Sequence, residues 1–459
     1  MPLILPGNVG SATAASGFDV SNSCRFNRAD SADMTLSMSS GGSQTKFTKS
    51  FWVKRCTVGE QHYIYDNSGT TQIFFHFRDS DKIGLGIFNS GAYSTELIST
   101  QLFRDVSAWY HFVIAVDYTN GTQAHRARIY VNGTEITAFD TGTRPGNDST
   151  TFDTFNSDKT HYIGSNASSN HYLHGYLAEV VHIDNAQLAP DQFGEFDEDT
   201  GIWKPIDVSG LTFGTKGYYL DYKASGNLGN DANGGTDWTE NNFAATDQSI
   251  DTCTNNFCTM NPLIPTTNAT FSEGNCKLAI GGSSIQGAGI GTFGLTAGKW
   301  YWEVKLLADK DNHTHGVISE LTAELNANVT AIQNDVGVTS WINGDGGEVV
   351  VDGSATTADY GIMAENSIMG IALDIDNYNI SYYNNGSASV TDFNMSTTRG
   401  TIFPLIKMGI NCTAEVNFGG CSAFAVSSGN TDGNGFGNFE HAPPSGYFAI
   451  CSKNLAENG

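Results

Sequence analysis

Two short pairs, Asn132-Gly133 and Asn385-Gly386, constrain this chain more than any other feature. Runs that read as strands stand beside both. Ala127–Val131 and Glu135–Phe139 flank the first pair, and Tyr378–Tyr383 leads into the second through Asn384. A two-residue Asn-Gly loop needs φ above zero at both positions, and that turn is the one whose twist suits antiparallel neighbours. The rest of the chain reads the same way. Ile83-Gly-Leu85-Gly-Ile87 alternates with the period of a half-buried strand. Trp109–Val116 is apolar enough to be covered on both faces. Phe47–Val53, His62–Tyr65, Gln72–Phe77, His161–Gly164 and Gly175–Ile183 complete a first β-rich half. Cys276–Ile280, Trp300–Val304, Ile368–Asp374, Phe403–Met408, Ala414–Phe418 and Gly446–Cys451 make a second. No strand–helix–strand spacing interrupts either, so the fold class is all-β, two antiparallel β-sandwiches, the first of jelly-roll kind.

Two segments depart from that pattern. Ala189–Phe193, with Pro190 in its first turn, reads as a short helical turn. Between Ile318 and Asn334, Ile318, Leu321, Leu325, Val329 and Ile332 recur at three- and four-residue spacing, which predicts an inserted amphipathic helix, with a loop as the alternative.

A chain of 459 residues exceeds what one core covers, which divides it in two. The expected organisation is an N-terminal arm at 1–20, a first sandwich at 21–205, a connector at 206–262 and a second sandwich at 263–459. The stretch Tyr218–Leu263 is dense in Gly, Asn, Asp and Thr, which is loop chemistry. It also carries Trp238, Phe243, Phe257 and Leu263, which a plain spacer has no reason to hold. An ordered connector follows, with Trp238 and Phe257 expected to be buried at the domain junction.

Charge narrows the partners. A formal net charge of −25 excludes a surface built to grip nucleic-acid phosphates or anionic lipid. The N-terminus lacks a basic region and is broken by Pro2 and Pro6, so no signal peptide is read there. No run approaches the roughly 18 apolar residues that span a bilayer, and membrane insertion is not expected. The eight cysteines form no C-x-x-C pair, which removes zinc spacing and points to buried free thiols. Cys253 and Cys258 are near enough in sequence to pair in an oxidising compartment.

Candidate sites are few. Glu195, Asp197 and Asp199 share one face if Glu195–Asp199 is extended, but Thr200-Gly-Ile follows where a second acid would be needed, so a solvated acidic loop is expected and no catalytic residue is assigned. Asp231, Asn233 and Asp237 offer closely spaced oxygens on a glycine-rich curl, part of a calcium shell, against the simpler reading of an Asx-rich turn. Calcium is the one cofactor the chain suggests. His171, His174, His313 and His315 sit in polar segments without acidic or Cys partners and are expected to be exposed. Trp300 and Trp302 alternate and should fill the core. The stretch Thr339–Tyr360 is read as a long recognition loop, with Trp341 as a ligand-binding, sugar-stacking ring against the reading of a packed aromatic.

The run WYHFVIAVDYTNGTQAHRARIYVNGTEI, followed by YIGS and HGYLAEVVHID, resembles a laminin-G or concanavalin-like lectin domain over roughly Ser21–Pro205. GKWYWEV, IMGIALDIDNYNISYYNNG, IFPLIKMG and AEVNFGG resemble a SPRY domain. The two in this order, with MPLILPGNV, GNLGNDANGGTDWTENNF and GYFAICSKNL, resemble structural proteins of marine tailed bacteriophages. That resemblance implies a non-enzymatic virion protein of a tail fibre, tail tip or capsid surface. It would be assembled in the host cytoplasm and carried outside in the particle. The partners implied are other virion proteins and a host surface receptor, a glycan being the expected one, and homo-oligomers are expected from particle symmetry. The alternative is a purely structural decoration or connector protein that touches only other virion subunits.

Overall fold

The computed structural model describes residues 17–69, 71–89, 91–145, 155–264, 269–282, 287–308, 313–320, 336–344, 346–356, 358–395 and 400–459. Contacts divide it into two compact units, with Ser16–Thr254 in one and Asn255–Gly459 in the other.

The first unit is a sandwich of two antiparallel sheets. One runs in the order Thr134–Glu135, Ala127–Val131, Trp109–Asp117, Lys46–Arg55, Gly175–Asp184, Ser23–Phe26 and Gln248–Ser249, with Tyr218–Leu220 also paired to Gly175–Asp184. The other runs Phe139–Thr143, Ala92–Ser99, Ile83–Asn89, Gln72–Phe77, His62–Asn67, Thr160–Ile163, Asp33–Ser37 and Thr239–Asn241. Trp109–Asp117 pairs along its length with Lys46–Arg55, which places it inside the sheet as its apolar run demands. The first Asn-Gly turn forms as expected, with Asn132 at φ 45° and Gly133 at φ 76°. Its second arm is shorter than the sequence suggested: after Glu135 the chain crosses over, and Phe139–Thr143 joins the other sheet.

Alternation fills the core. Ile83, Leu85 and Ile87 point inward with Ile73, Phe75, Phe77, Phe112 and Ile114, all buried. One polar group lies among them. The Lys49 ammonium is 2.5 Å from the Tyr218 hydroxyl and faces the rings of Tyr65, Phe155 and Tyr218 at 4.1, 4.5 and 4.8 Å. Burial pushes its pKa well down. Replacing a buried charge with an apolar chain of similar volume is often neutral or stabilising. Lys49→Met is therefore expected to raise stability by roughly 1 kcal/mol or more, read as a higher urea midpoint for this unit.

Segment 206–254 is more than a tether. Tyr218–Leu220, Thr239–Asn241 and Gln248–Ser249 each pair into a sheet of the first unit. Trp238 is buried in that unit's core against Tyr218. Phe257 is also buried, but it belongs to the second unit, where it bridges to Cys451. Each ring thus packs within its own unit, which replaces the expectation of a shared junction. All eight cysteines are free thiols, with Cys253 alone half-buried.

The second unit has an eight-stranded sheet ordered Ala269–Ser272, Lys277–Ile280, Thr413–Asn417, Lys299–Leu306, Ile368–Asp374, Asn379–Asn384 and Ser387–Asn394, with Phe448–Ala449 beside Lys299–Leu306. A six-stranded sheet of Gly287–Ile290, Ile402–Met408, His313–Ser319, Val338–Ile342, Glu348–Val351 and Ser354–Ala355 accompanies it. Trp300 and Trp302 fill the core, as their alternation predicts. The second Asn-Gly turn has Asn385 at φ 47° and Gly386 at φ 78°. Ile318 belongs to a strand, and the remainder of the expected helix lies largely outside the described residues. The short turn at Pro190–Gln192 is a 3₁₀ helix, with Pro190 where its missing N–H costs nothing.

Candidate functional site

The residues singled out from sequence divide between core and closed turns. Trp341 lies on the strand Val338–Ile342, fully buried, 5.4 Å from the Tyr382 ring, with its Nε1 directed at Asn343. The expected recognition loop is a set of paired strands, so this indole is part of the core and cannot stack a sugar from solvent. Asp231 is buried, and its oxygens accept from the backbone N–H groups of Tyr219, Asn233 and Gly235 at 2.9, 3.0 and 3.0 Å. Asp237 accepts from the Asp231 N–H and the Asn227 amide. Those carboxylates are spent on closing the turn, which leaves little of a calcium shell, and Asn233 itself is exposed. No group of three or more His, Cys, Asp or Glu placed to hold a metal occurs among the described residues.

The acidic run behaves as a solvated turn. Gly194–Phe196 and Trp203–Pro205 form a small hairpin. Asp197 accepts from the Thr200 N–H and hydroxyl and from Lys204, which together hold its carboxyl down at about 2. The histidines differ from expectation. His171 is exposed, but His174, His313 and His315 are buried, and His313 Nδ1 lies 3.0 Å from His315 Nε2. Their polar surroundings in sequence belong to strands and strand ends, which fold inward.

A different surface gathers aromatic and polar side chains. On the sheet that includes Gln72–Phe77, the residues alternating with the core row face outward. Phe74 and His76 project there, opposite Gly86 and Gly84 of the next strand. A Cβ at Gly86 would stand 2.3 Å from the Phe74 ring, and one at Gly84 would stand 2.5 Å from His76 Nε2. The two glycines therefore let both rings lie down across the neighbouring strand, giving an aromatic pavement. It continues on both sides. Tyr63 is 4.9 Å from His76 and 5.7 Å from Phe74, and His171 is 6.0 Å from Tyr63. Tyr93 is 6.3 Å from Phe74, and Phe88 is 5.2 Å from Tyr93. Gln61, Arg78 and Glu96 line the same depression, which has a volume of about 130 Å³.

Two polar groups stand out within it. The Gln61 amide nitrogen lies 2.8 Å from His76 Nδ1, and an amide donor there leaves the ring proton on Nε2. His76 Nε2 is buried and has no hydrogen-bond partner. Burial pushes the imidazole down to about 3, so it is neutral at physiological pH, with Nε2 packed over Gly84. Burial also pushes Asp66 up to about 7, against the N–H groups of Ala167 and Asn67 that hold its oxygens. Tyr93 is 44% exposed, which makes it the open edge of the pavement. None of this was assembled from sequence, because Tyr63, Phe74, His76 and Tyr93 meet only through cross-strand register. The available signal was the pair of glycines facing an aromatic and a histidine at the same alternation.

Comparison with known proteins agrees with this architecture. The concanavalin A-like lectin/glucanases superfamily matches residues 28–191, and the SPRY domain matches residues 299–421. Both domains are thus detected in the chain. No curated protein matches it. Among solved structures, the chain is similar to the SPRY domain of human HERC1 at 14% identity, covering 36% of this chain and 99% of that one with a TM-score of 0.29. It is also similar to the TRIM65 PSpry domain at 14% identity, covering 35% of this chain and 91% of that one with a TM-score of 0.30.

Proposed function

We propose that this chain is a non-enzymatic binding protein whose lectin-like module holds a glycan on the aromatic pavement of Tyr63, Phe74, His76 and Tyr93. The observation that carries the reading is the aromatic cluster itself: rings packed tilted and edge to face on the outer side of a sheet, with a neutral histidine and amide, guanidinium and carboxylate groups beside them. Sugars present C–H faces to rings and hydroxyls to such polar groups, and sites of this kind are concave with few fixed polar atoms. A hydrolytic role has less behind it. Glu195 and Asp197 lie on a surface hairpin tied to Lys204, and Asp66 is tied to backbone amides.

In this reading the chain is a bacteriophage virion component, on a tail fibre, tail tip or capsid surface, that attaches the particle to a host glycan. Its support is the resemblance drawn from the sequence alone, in the order of the two modules and the motifs that join them. The second reading, a decoration or connector protein that contacts only other virion subunits, draws on one observation. Phe196 and Ile202 expose 52% and 50% of their surface on the same small hairpin, apolar surface suited to protein contact. Calcium is no part of the proposed site. A glycan array probed with the purified chain tests the first reading. Retention on oligosaccharides, lost on substituting Tyr93, supports it; no retention, with the chain buried between subunits in the particle, favours the second.

A further inference from the structure

We infer that one end of the lectin-like sandwich contains a buried site for a small monovalent anion of halide size, formed by Arg55, His62 and His174. The inference starts from nitrogen atoms that have nothing to bond. Arg55 Nε and Nη2, His62 Nδ1 and Nε2, and His174 Nδ1 and Nε2 are all buried and have no hydrogen-bond partner. Buried polar groups in native proteins are almost always satisfied, by protein, water or ligand. Six orphan nitrogens on three neighbouring side chains therefore imply an occupant.

The three side chains converge because of strand register. Arg55 ends the strand Lys46–Arg55 and pairs with Gly175, directly after His174. His62 begins the strand His62–Asn67 opposite Phe77, and the Arg55 guanidinium lies 4.4 Å from the Phe77 ring centre. The plug thus closes the gap between the two sheets at one end. A crevice of about 470 Å³ lies outside it, lined by the flanking residues Arg28, Glu60, Gln61, Asn170, His171 and Tyr172.

Donor chemistry selects the occupant. Arg55 Nη1 is paired with Asp81, but Asp81 is also paired with Arg104 and accepts from the Gly59 N–H. Arg28 is paired with Glu60. With Asp79, which lines the same crevice, three guanidinium groups face three carboxylates, so no net charge is left over and the unpartnered donors decide the occupant. The unpartnered donors are three N–H of Arg55 and one from each neutral ring, a set whose chemistry suits an anion. A cation is disfavoured because the unpartnered Arg55 nitrogens can only donate. Glu60 Oε2 is 3.6 Å from His62 Nε2, too far to satisfy it directly. Burial and the Arg55 charge both push His62 down to about 3, so neither histidine competes for the role of cation at neutral pH.

The test compares the melting temperature of the full chain in sodium bromide and in sodium gluconate at equal ionic strength. An anion bound only by the folded state at a hundredfold excess over its Kd should raise the Tm of the lectin-like module by about 5 °C. Crystals grown in bromide should give an anomalous peak between Arg55 and His62. His174→Leu should abolish the difference between the salts. Equal melting temperatures in both salts, or ordinary water density with no anomalous peak, would overturn the inference. If the variant does not fold, the salt comparison and the anomalous map on the unaltered chain still decide it.

Discussion

Lowered from pH 7 to pH 5 in a halide-free buffer, the lectin-like module is expected to lose most of its stability while the SPRY module keeps its own. The reason is the number of histidines folded as neutral rings. Burial holds His62, His76, His111 and His174 at about 3 and His182 well below its ordinary value. In the unfolded chain each titrates near 6.5. Below that pH the unfolded state takes up protons that the folded state refuses, so their contribution is whole above pH 6.5 and falls steadily toward pH 3. Asp66 and Glu179 act in the opposite sense. Burial raises both to about 7, so they bind protons in the folded state first, and their contribution grows as pH falls from 7 toward 4. Five histidines against two carboxyls leave three protons net. At about 1.4 kcal/mol per proton per pH unit, the slope is about 4 kcal/mol per pH unit at its steepest. A domain of ordinary stability, about 5–15 kcal/mol, cannot absorb that for long. In the SPRY module the described shifts that act between pH 7 and pH 5 are His315, pushed well down, and Glu303, pushed up to about 7, both by burial. These cancel. Calorimetry at half-unit steps of pH should show two transitions separating below pH 6.5, the lower one moving steeply. Two transitions that move together, or a SPRY transition that falls first, would contradict this.

The second large effect concerns binding. Tyr93→Ala is expected to weaken glycan binding by about tenfold, since a stacked ring contributes about 0.5–1.5 kcal/mol beyond its buried area. Tyr93 is 44% exposed near the start of its strand, so the Tm should move little. Phe74→Ala should weaken binding further, but it also uncovers Gly86 and removes a contact with His76, so a drop in stability accompanies it. Titration calorimetry with the best oligosaccharide from the array, alongside a melting curve of each variant, separates the two contributions. Unchanged affinity in Tyr93→Ala would move the site elsewhere.

Much of the architecture was legible because β-structure writes itself in alternation. Ile83, Leu85 and Ile87 face the core as read, Trp300 and Trp302 share it as read, and both Asn-Gly turns have the positive φ their residues call for. Trp341 was misplaced for a physical reason. Its segment is rich in Gly and Asp, which suggests a loop, yet Val338–Ile342 and Glu348–Val351 pair across a tight connection and turn the indole inward. The Asx-rich curl at Asp231 was legible as a turn, but whether its oxygens remained for a metal depended on which backbone amides folded against them. The histidines failed likewise, since burial of His174 and His315 arises from long-range strand pairing. Segment 206–254 hid its pairings for the same reason. Three short strands inside it complete sheets whose other members lie far away in sequence.

The most direct test of the central claim is where a glycan lands. Chemical shifts of the deuterated, ¹⁵N-labelled chain, followed while titrating the oligosaccharide best retained on the array, should move at Gln61, Tyr63, Phe74, His76, Gly84, Gly86 and Tyr93. The His76 ring N–H should shift on gaining an acceptor. Shifts confined to the SPRY module, or to the Gly194–Pro205 hairpin, would contradict the account, as would a chain that no glycan perturbs.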